Sequence, residues 1–226
     1  MKTMSERLGE VRQRIAAACE RVGRSPSGVE LLAVSKTFPA ESVREAVEAG
    51  QMLFGENRVQ EALEKIPALP DSARWHLIGH LQRNKTRKIL PLVEAVHSVD
   101  SLRLAEHIDH VAADLGLVSK IYLEVNIAGE TSKHGFRPED LRAEMESLLA
   151  LPRLEILGLM AVPPIGPDAG ASRPWFQALR ALRDELSASH SVPLHGLSMG
   201  MSGDFEVAIE EGATIVRVGS SIFGHR

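Results

Sequence analysis

Residues 30–50 read ELLAVSKTFPAESVREAVEAG. The first six, ELLAVS (30–35), are an apolar run of strand length, and from Pro39 the spacing turns helical, with a proline where a first turn tolerates one and Gly50 as the stop. A strand handed directly to a helix is one βα unit. The unit recurs along the chain. Further strands are expected at MLFG (52–55), WHLIG (75–79), AVHSV (95–99), KIYLEVN (120–126), LEILGLMAV (154–162), LHGLSM (194–199) and TIVRVG (214–219). Helical patterns lie between them at 56–66, 83–93, 101–116, 138–150, 173–188 and 203–212. Eight strands, each followed by a helical pattern or the chain end, imply parallel pairing with crossovers, and eight closes a barrel. The expected fold is α/β, a single-domain (β/α)8 TIM barrel over residues 1–226, with an open doubly wound sheet as the alternative.

One helix stands outside the repeat. MKTMSERLGEVRQRIAAACERV (1–22) has Thr3 and Glu6 spaced as a capping box, then Leu8, Val11, Ile15, Ala18 and Val22 on one face. It is charged throughout, unlike a secretory signal, and no apolar run in the chain approaches the roughly 20 residues of a membrane span. A cytoplasmic protein without a membrane partner is expected. The formal charge of −4 carries no basic stripe, so no nucleic-acid partner is expected either. The single cysteine, Cys19, falls on the apolar face of the first helix and leaves no disulfide or Cys-based metal site within one chain. His107 and His110 share a helix face without a third ligand, so no metal site is expected.

Lys36 closes the first strand, where a lysine either escapes to solvent or is put to work. Alternation gives Leu32, Val34 and Lys36 one face, His76, Ile78 and His80 another, and Ile215, Arg217 and Gly219 a third. Asn57 follows the second strand, and Glu124 and Asn126 end the fifth. Polar residues thus gather at strand C-terminal ends, the functional face of such a barrel. LSMGMSGD (197–204) and RVGSSIFG (217–224) add Gly/Ser turns at strands seven and eight, where barrels frequently bind phosphate. Lysine amines in electropositive, partly desolvated mouths can shed their proton and condense with aldehydes. A ligand with an aldehyde at one end and a phosphate at the other would suit, and pyridoxal 5′-phosphate (PLP) is one. Arg217 beside its pyridine nitrogen would donate a hydrogen bond and leave that nitrogen unprotonated, which makes a poor electron sink. Two connections are long, 126–137 and 163–174; both follow strands, and either a lid or a surface loop fits them.

In order, AVSKTFP, FGENRVQEAL, WHLIGHLQRNK, HSVDSL, EVNIAGETSKHGF, GLMAVPP and LSMGMSGDFEVAIEEGATIVRVGSSIFG are spread along residues 33–224. Together they resemble the pyridoxal phosphate homeostasis proteins, related in fold to the barrel domain of alanine racemase. The resemblance implies PLP as a Schiff base on Lys36, Arg217 facing its ring nitrogen, and Ser202, Gly219 and Ser220 holding the phosphate. It also implies Asn57, His80 and Met199 lining the ring. It points to a monomeric carrier that buffers PLP or delivers it to PLP-dependent apo-enzymes, with other B6 vitamers as further ligands, and not to an enzyme.

Two further readings are a single-domain PLP-dependent amino-acid racemase and a Schiff-base aldolase acting on a phosphosugar. A racemase needs a second base, in alanine racemase a tyrosine from a partner's extra β domain. Here the only tyrosine, Tyr122, falls mid-strand, where packing is expected. GLSMG (196–200) matches the hydrolase nucleophile elbow, but only Asp204, a few glutamates and His225 follow it as triad partners.

Overall fold

In the computed structural model, which describes residues 2–131, 133–164 and 166–224, eight parallel strands close in sequence order, each bonded to its chain neighbours and β8 back to β1. They are β1 (Glu30–Val34), β2 (Leu53–Glu56), β3 (Arg74–Leu77), β4 (Ala95–Val99), β5 (Ser119–Glu124), β6 (Leu154–Met160), β7 (Gly196–Ser198) and β8 (Ile215–Val218). This is the (β/α)8 barrel that the repeated βα pattern predicts, and the open sheet is excluded. All eight expected strands are present, most of them shorter at the C-terminal end than their apolar runs. The surplus residues, such as Ser35, Ile78 and Gly219, bend into the loops of the upper face.

The outer helices are α1 (Met4–Arg21), α2 (Ala40–Glu48), α3 (Val59–Lys65), α4 (Thr86–Ile89), α5 (Leu102–Leu115), α6 (Pro138–Leu149), α7 (Arg173–His190), α8 (Phe205–Glu210) and α9 (Ser220–Phe223). Thr3 and Glu6 close the expected capping box on α1. The stretch 83–93 was expected as one helix and is instead a single α turn between two 3₁₀ turns, the last of which contains Pro91. Proline lacks the N–H an α-helix interior needs, so the run cannot continue.

Strand alternation divides the apolar residues into two layers. Ala33, Phe54, Leu77, Val96, Leu123, Leu197 and Val216 face outward and pack under the helices. Leu32, Val34, Leu53, Tyr122, Met160 and Ile215 fill the barrel interior, with Ile78 and Leu157 against them. This cluster shares the barrel interior with the buried polar side chains of His76, His97, Ser198 and Arg217.

Helix α1 covers the seam beside β8. Arg14 forms a bidentate pair with Glu206 at 3.0 and 3.3 Å, and Arg24 donates to the carbonyls of Ile209 and Ala213 at 2.6 and 2.9 Å. Arg7 donates to the carbonyl of Ile222 in α9. The extra helix therefore braces α8 and α9, the two short helices that follow the Gly/Ser turns. Cys19 is buried and unpaired, as its apolar surroundings predict. No helix among the described residues is long and apolar enough to cross a membrane.

Candidate functional site

A cavity of about 720 Å³ opens at the C-terminal ends of the strands. Its wall brings together Lys36, Asn57, Ser202, Arg217, Gly219 and Ser220, six side chains or turns that the chain delivers from β1, β2, β7 and β8. Val34, Ile78 and Val162 give it an apolar floor, and Pro163, Pro164 and Asp168 of the second long connection form one side. A mostly apolar hollow with a few convergent polar groups is the usual form of a small-molecule site.

Lys36 stands exposed at the rim rather than desolvated inside it. The turn that carries it is anchored from below. Ser35 is fully buried and donates its hydroxyl to Glu56 Oε1 at 2.7 Å; Lys65 Nζ bonds the same oxygen at 2.7 Å and the Ser35 carbonyl at 2.8 Å. Thr37 is left-handed, φ +68°, a costly region for a β-branched residue, and its N–H donates to Glu61 Oε2 at 2.7 Å. Phe38 stacks on Phe223 with centroids 5.1 Å apart, which ties this turn to α9. Burial pushes the Glu56 carboxyl up, against the opposing pull of its Lys65 and Ser35 bonds.

Arg217 is buried and donates through NH1 to both the carbonyl and hydroxyl of Ser198, each at 2.7 Å, and through NH2 to the Ala161 carbonyl at 2.9 Å. A guanidinium has five N–H donors, so these three bonds leave one on NH2 and one on Nε for a ligand. Burial lowers its pKa to about 10, against the pull of Glu124 and Asp204, so it is a cation at neutral pH. Glu124, at the end of β5, is raised to about 7 by burial and then by Asp100, with Arg217 and His134 opposing.

The two Gly/Ser turns meet. Gly219 N–H donates to Ser202 Oγ at 3.2 Å, and a side chain at Gly219 would come within 3.2 Å of the Val34 carbonyl. Ser220 begins α9, whose first N–H groups have no intrahelical acceptor. On the opposite wall the Asn57 side-chain carbonyl Oδ1 is buried without a partner. Gly79 permits the close approach of the Asn57 main chain, because a Cβ there would lie 2.2 Å from the Asn57 main-chain carbonyl oxygen.

Two of the eight expected site residues lie elsewhere. Met199 is fully buried in the outer core: Ser198 points into the barrel, so alternation turns Met199 outward under the helices. His80 sits past the end of β3, half exposed, stacked on His134 at 4.3 Å; both rings reach Asp100 Oδ2 at 3.5 Å. The three ligand atoms lie within 4.8 Å of one another, a spacing that suits a cation. His107 bonds the Arg83 carbonyl at 2.9 Å, and His110 lies 3.9 Å from Asp114. The two long connections contain Ser132 and Ile165, and the hydrolase reading called on His225; all three lie outside the described residues.

Sequence reasoning missed the partners of Arg217. Ser198, noticed only as part of the elbow pattern, is fully buried 2.8 Å from His97 Nδ1, and His97 Nε2 is 2.9 Å from His76 Nδ1. The alternation of AVHSV would have placed His97 inside the barrel, but not opposite Ser198. Tyr122 is buried in the interior with its ring 4.4 Å from that of His97, and burial raises its hydroxyl well above its ordinary value.

The family model described as alanine racemase, N-terminal domain, matches residues 7–226. The pyridoxal phosphate homeostasis protein of Aquifex aeolicus is 48% identical over 222 residues, covering 98% of this chain and 97% of that protein. That of Pseudomonas aeruginosa is 46% identical over 228 residues, covering 100% and 97%. Among solved structures, PipY of Synechococcus elongatus with PLP bound superposes with a TM-score of 0.86 at 42% identity, covering 98% of this chain and all of that one. An alanine racemase of Clostridium difficile shares the fold, at a TM-score of 0.74 and 15% identity, with this chain spanning 57% of it.

Proposed function

The chain belongs to the pyridoxal phosphate homeostasis proteins, a family built on the alanine racemase N-terminal domain, and from that premise we propose that it holds PLP covalently on Lys36 and buffers or delivers it without turnover. The observation that carries this reading is the convergence of Lys36, Asn57, Ser202, Arg217, Gly219 and Ser220 on one cavity. The groups fit the cofactor chemically. When bound, PLP supplies an aldehyde that condenses with a primary amine.

Each residue has a part in that arrangement. Lys36 offers its amine from the rim, on a turn whose backbone is fixed by Glu56, Glu61 and Lys65. Arg217 has two N–H donors unspent and no acceptor, so it can only donate to a ring nitrogen. Ser202 and Ser220 would donate to the phosphate, and Gly219 would join them by turning its N–H from Ser202 Oγ to the phosphate. The orphaned Asn57 carbonyl is an acceptor for a donor group on the ring face. His80 belongs with Asp100 and His134 at the mouth, and Met199 contributes to the barrel wall.

The reading without turnover is supported by the placement of the chain's one tyrosine. Tyr122 is sealed in the barrel interior and held protonated by burial, so it is no counterpart to a racemase's second base. The same placement weighs against the racemase reading. An aldolase would use Lys36 and the phosphate turns but would not take up a coloured cofactor. On this reading the protein works as a cytoplasmic monomer. The test is equilibrium dialysis with PLP, monitored by absorbance, in the parent and in Lys36→Ala: saturable, coloured binding with about one PLP per chain supports it, and a colourless parent refutes it.

A further inference from the structure

Below the cavity, a line of buried polar groups runs down the barrel axis, an expensive feature for a core unless every member is satisfied. From the top it is Arg217, Ser198, His97 and His76, with Glu94 Oε2 3.8 Å from His76 Nε2 at the lower rim. Its direction follows from donor bookkeeping.

Arg217 can only donate, so Ser198 Oγ accepts from it. The partners of that hydroxyl are Arg217 and His97. If His97 Nδ1 also donated to it, the hydroxyl proton would be left without an acceptor in a fully buried position, which folded proteins avoid. Ser198 therefore donates to His97 Nδ1. His97 then carries its proton on Nε2 and donates to His76 Nδ1, and His76 carries its own on Nε2, pointing at the Glu94 carboxylate. The reversed chain would orphan the serine proton at one end and set a ring lone pair against a carboxylate at the other. Both ends select one direction.

We propose that Ser198, His97 and His76 are positioning residues for Arg217, a one-way hydrogen-bond chain with both imidazoles neutral and protonated on Nε2. By occupying both protons of Arg217 NH1 with Ser198, the chain holds the guanidinium so that its two unspent N–H groups face the cavity. The use of those two groups on a ring nitrogen rests on the reading of the cavity as a PLP site. The direction of the chain does not.

Long-range ¹H–¹⁵N correlation of the histidine ring protons tests the chain in ligand-free protein at neutral pH. The expected result is a single Nε2–H tautomer for both His76 and His97. An Nδ1–H form, a mixture of tautomers or a doubly protonated ring at either residue would overturn it. Ser198→Ala, which removes one hydroxyl and adds nothing, tests the positioning role in PLP-loaded protein. It should release His97 from its single tautomer, weaken PLP binding about twofold to tenfold, and move the pH midpoint of the bound-PLP absorption band. An unchanged midpoint and affinity would refute the positioning role. Should the parent take up no PLP, the reading of the cavity fails while the tautomers still decide the chain.

Discussion

Lys65 and Glu56 form a buried ion pair, Nζ to Oε1 at 2.7 Å, at the root of the turn that carries Lys36. Breaking a buried pair by removing one partner leaves an uncompensated charge, whereas removing both is often neutral. Lys65→Met should therefore destabilise the protein by about 3–5 kcal/mol, and Lys65→Met with Glu56→Gln should recover most of the loss. Urea unfolding of the single and double variants measures both. Equal destabilisation in the two would show that the turn needs the lysine itself.

Arg217 should matter to affinity more than to capture. Losing one charged hydrogen bond costs roughly 1.5–3 kcal/mol, or about a tenfold to hundredfold weakening of PLP binding. Dialysis of Arg217→Ala measures it, and Lys36 should still be labelled at high PLP. A variant binding as tightly as the parent would make Arg217 a cap on the barrel interior and nothing more.

The core histidines predict acid sensitivity. His76 is lowered to about 4 by burial, with Arg74 and Lys120 adding to the effect and Glu94 opposing; His97 is lowered by burial, His76 and Arg217. Between about pH 6.5 and 4 the unfolded chain binds protons that the folded chain refuses, so stability falls as pH falls through that window. Urea midpoints at pH 7, 6 and 5 should decline more steeply in the parent than in His97→Gln. Identical slopes would remove His97 from the account.

Glu124 gives the opposite dependence. Its folded pKa of about 7 lies above the unfolded value of 4.5, so its contribution worsens as pH rises from 4.5 to 7. Glu124→Gln should gain stability relative to the parent at pH 8 and little at pH 5. A gain of the same size at both would point to packing rather than to charge.

The period of the pattern made the barrel legible: each of the eight apolar runs overlaps one strand, and AVHSV matches β4 residue for residue, because strands buried on both faces read as short continuous apolar runs. Lys36, Arg217, Ser202, Gly219 and Ser220 were legible because a strand end in a barrel has only one place to go. Met199 was not, since one residue of register separates the inner wall from the outer core, and neighbouring Ser198 took the inner place. His80 was misplaced because β3 stops at Leu77, and alternation carries no information past a strand's end. His76 and His97 sit on the paired neighbours β3 and β4, whereas the contact of His97 with Ser198 joins β4 to β7 across the barrel. Only closure of the barrel brings them together.

A carrier should not exchange the α-proton of an amino acid. PLP-loaded protein incubated with L-alanine in deuterated water should exchange it no faster than free PLP does, as followed by NMR. Rapid exchange with accumulation of D-alanine, lost in Lys36→Ala, would make the protein a single-domain racemase.

Lys36 as the residue that holds PLP is tested by mass spectrometry of the borohydride-reduced, PLP-loaded protein. The expected result is one phosphopyridoxyl group per chain, located on Lys36, and a Lys36→Ala protein with no residue modified in its place at stoichiometric PLP. A coloured, reduced sample with Lys36 unmodified and the label on another lysine would contradict it.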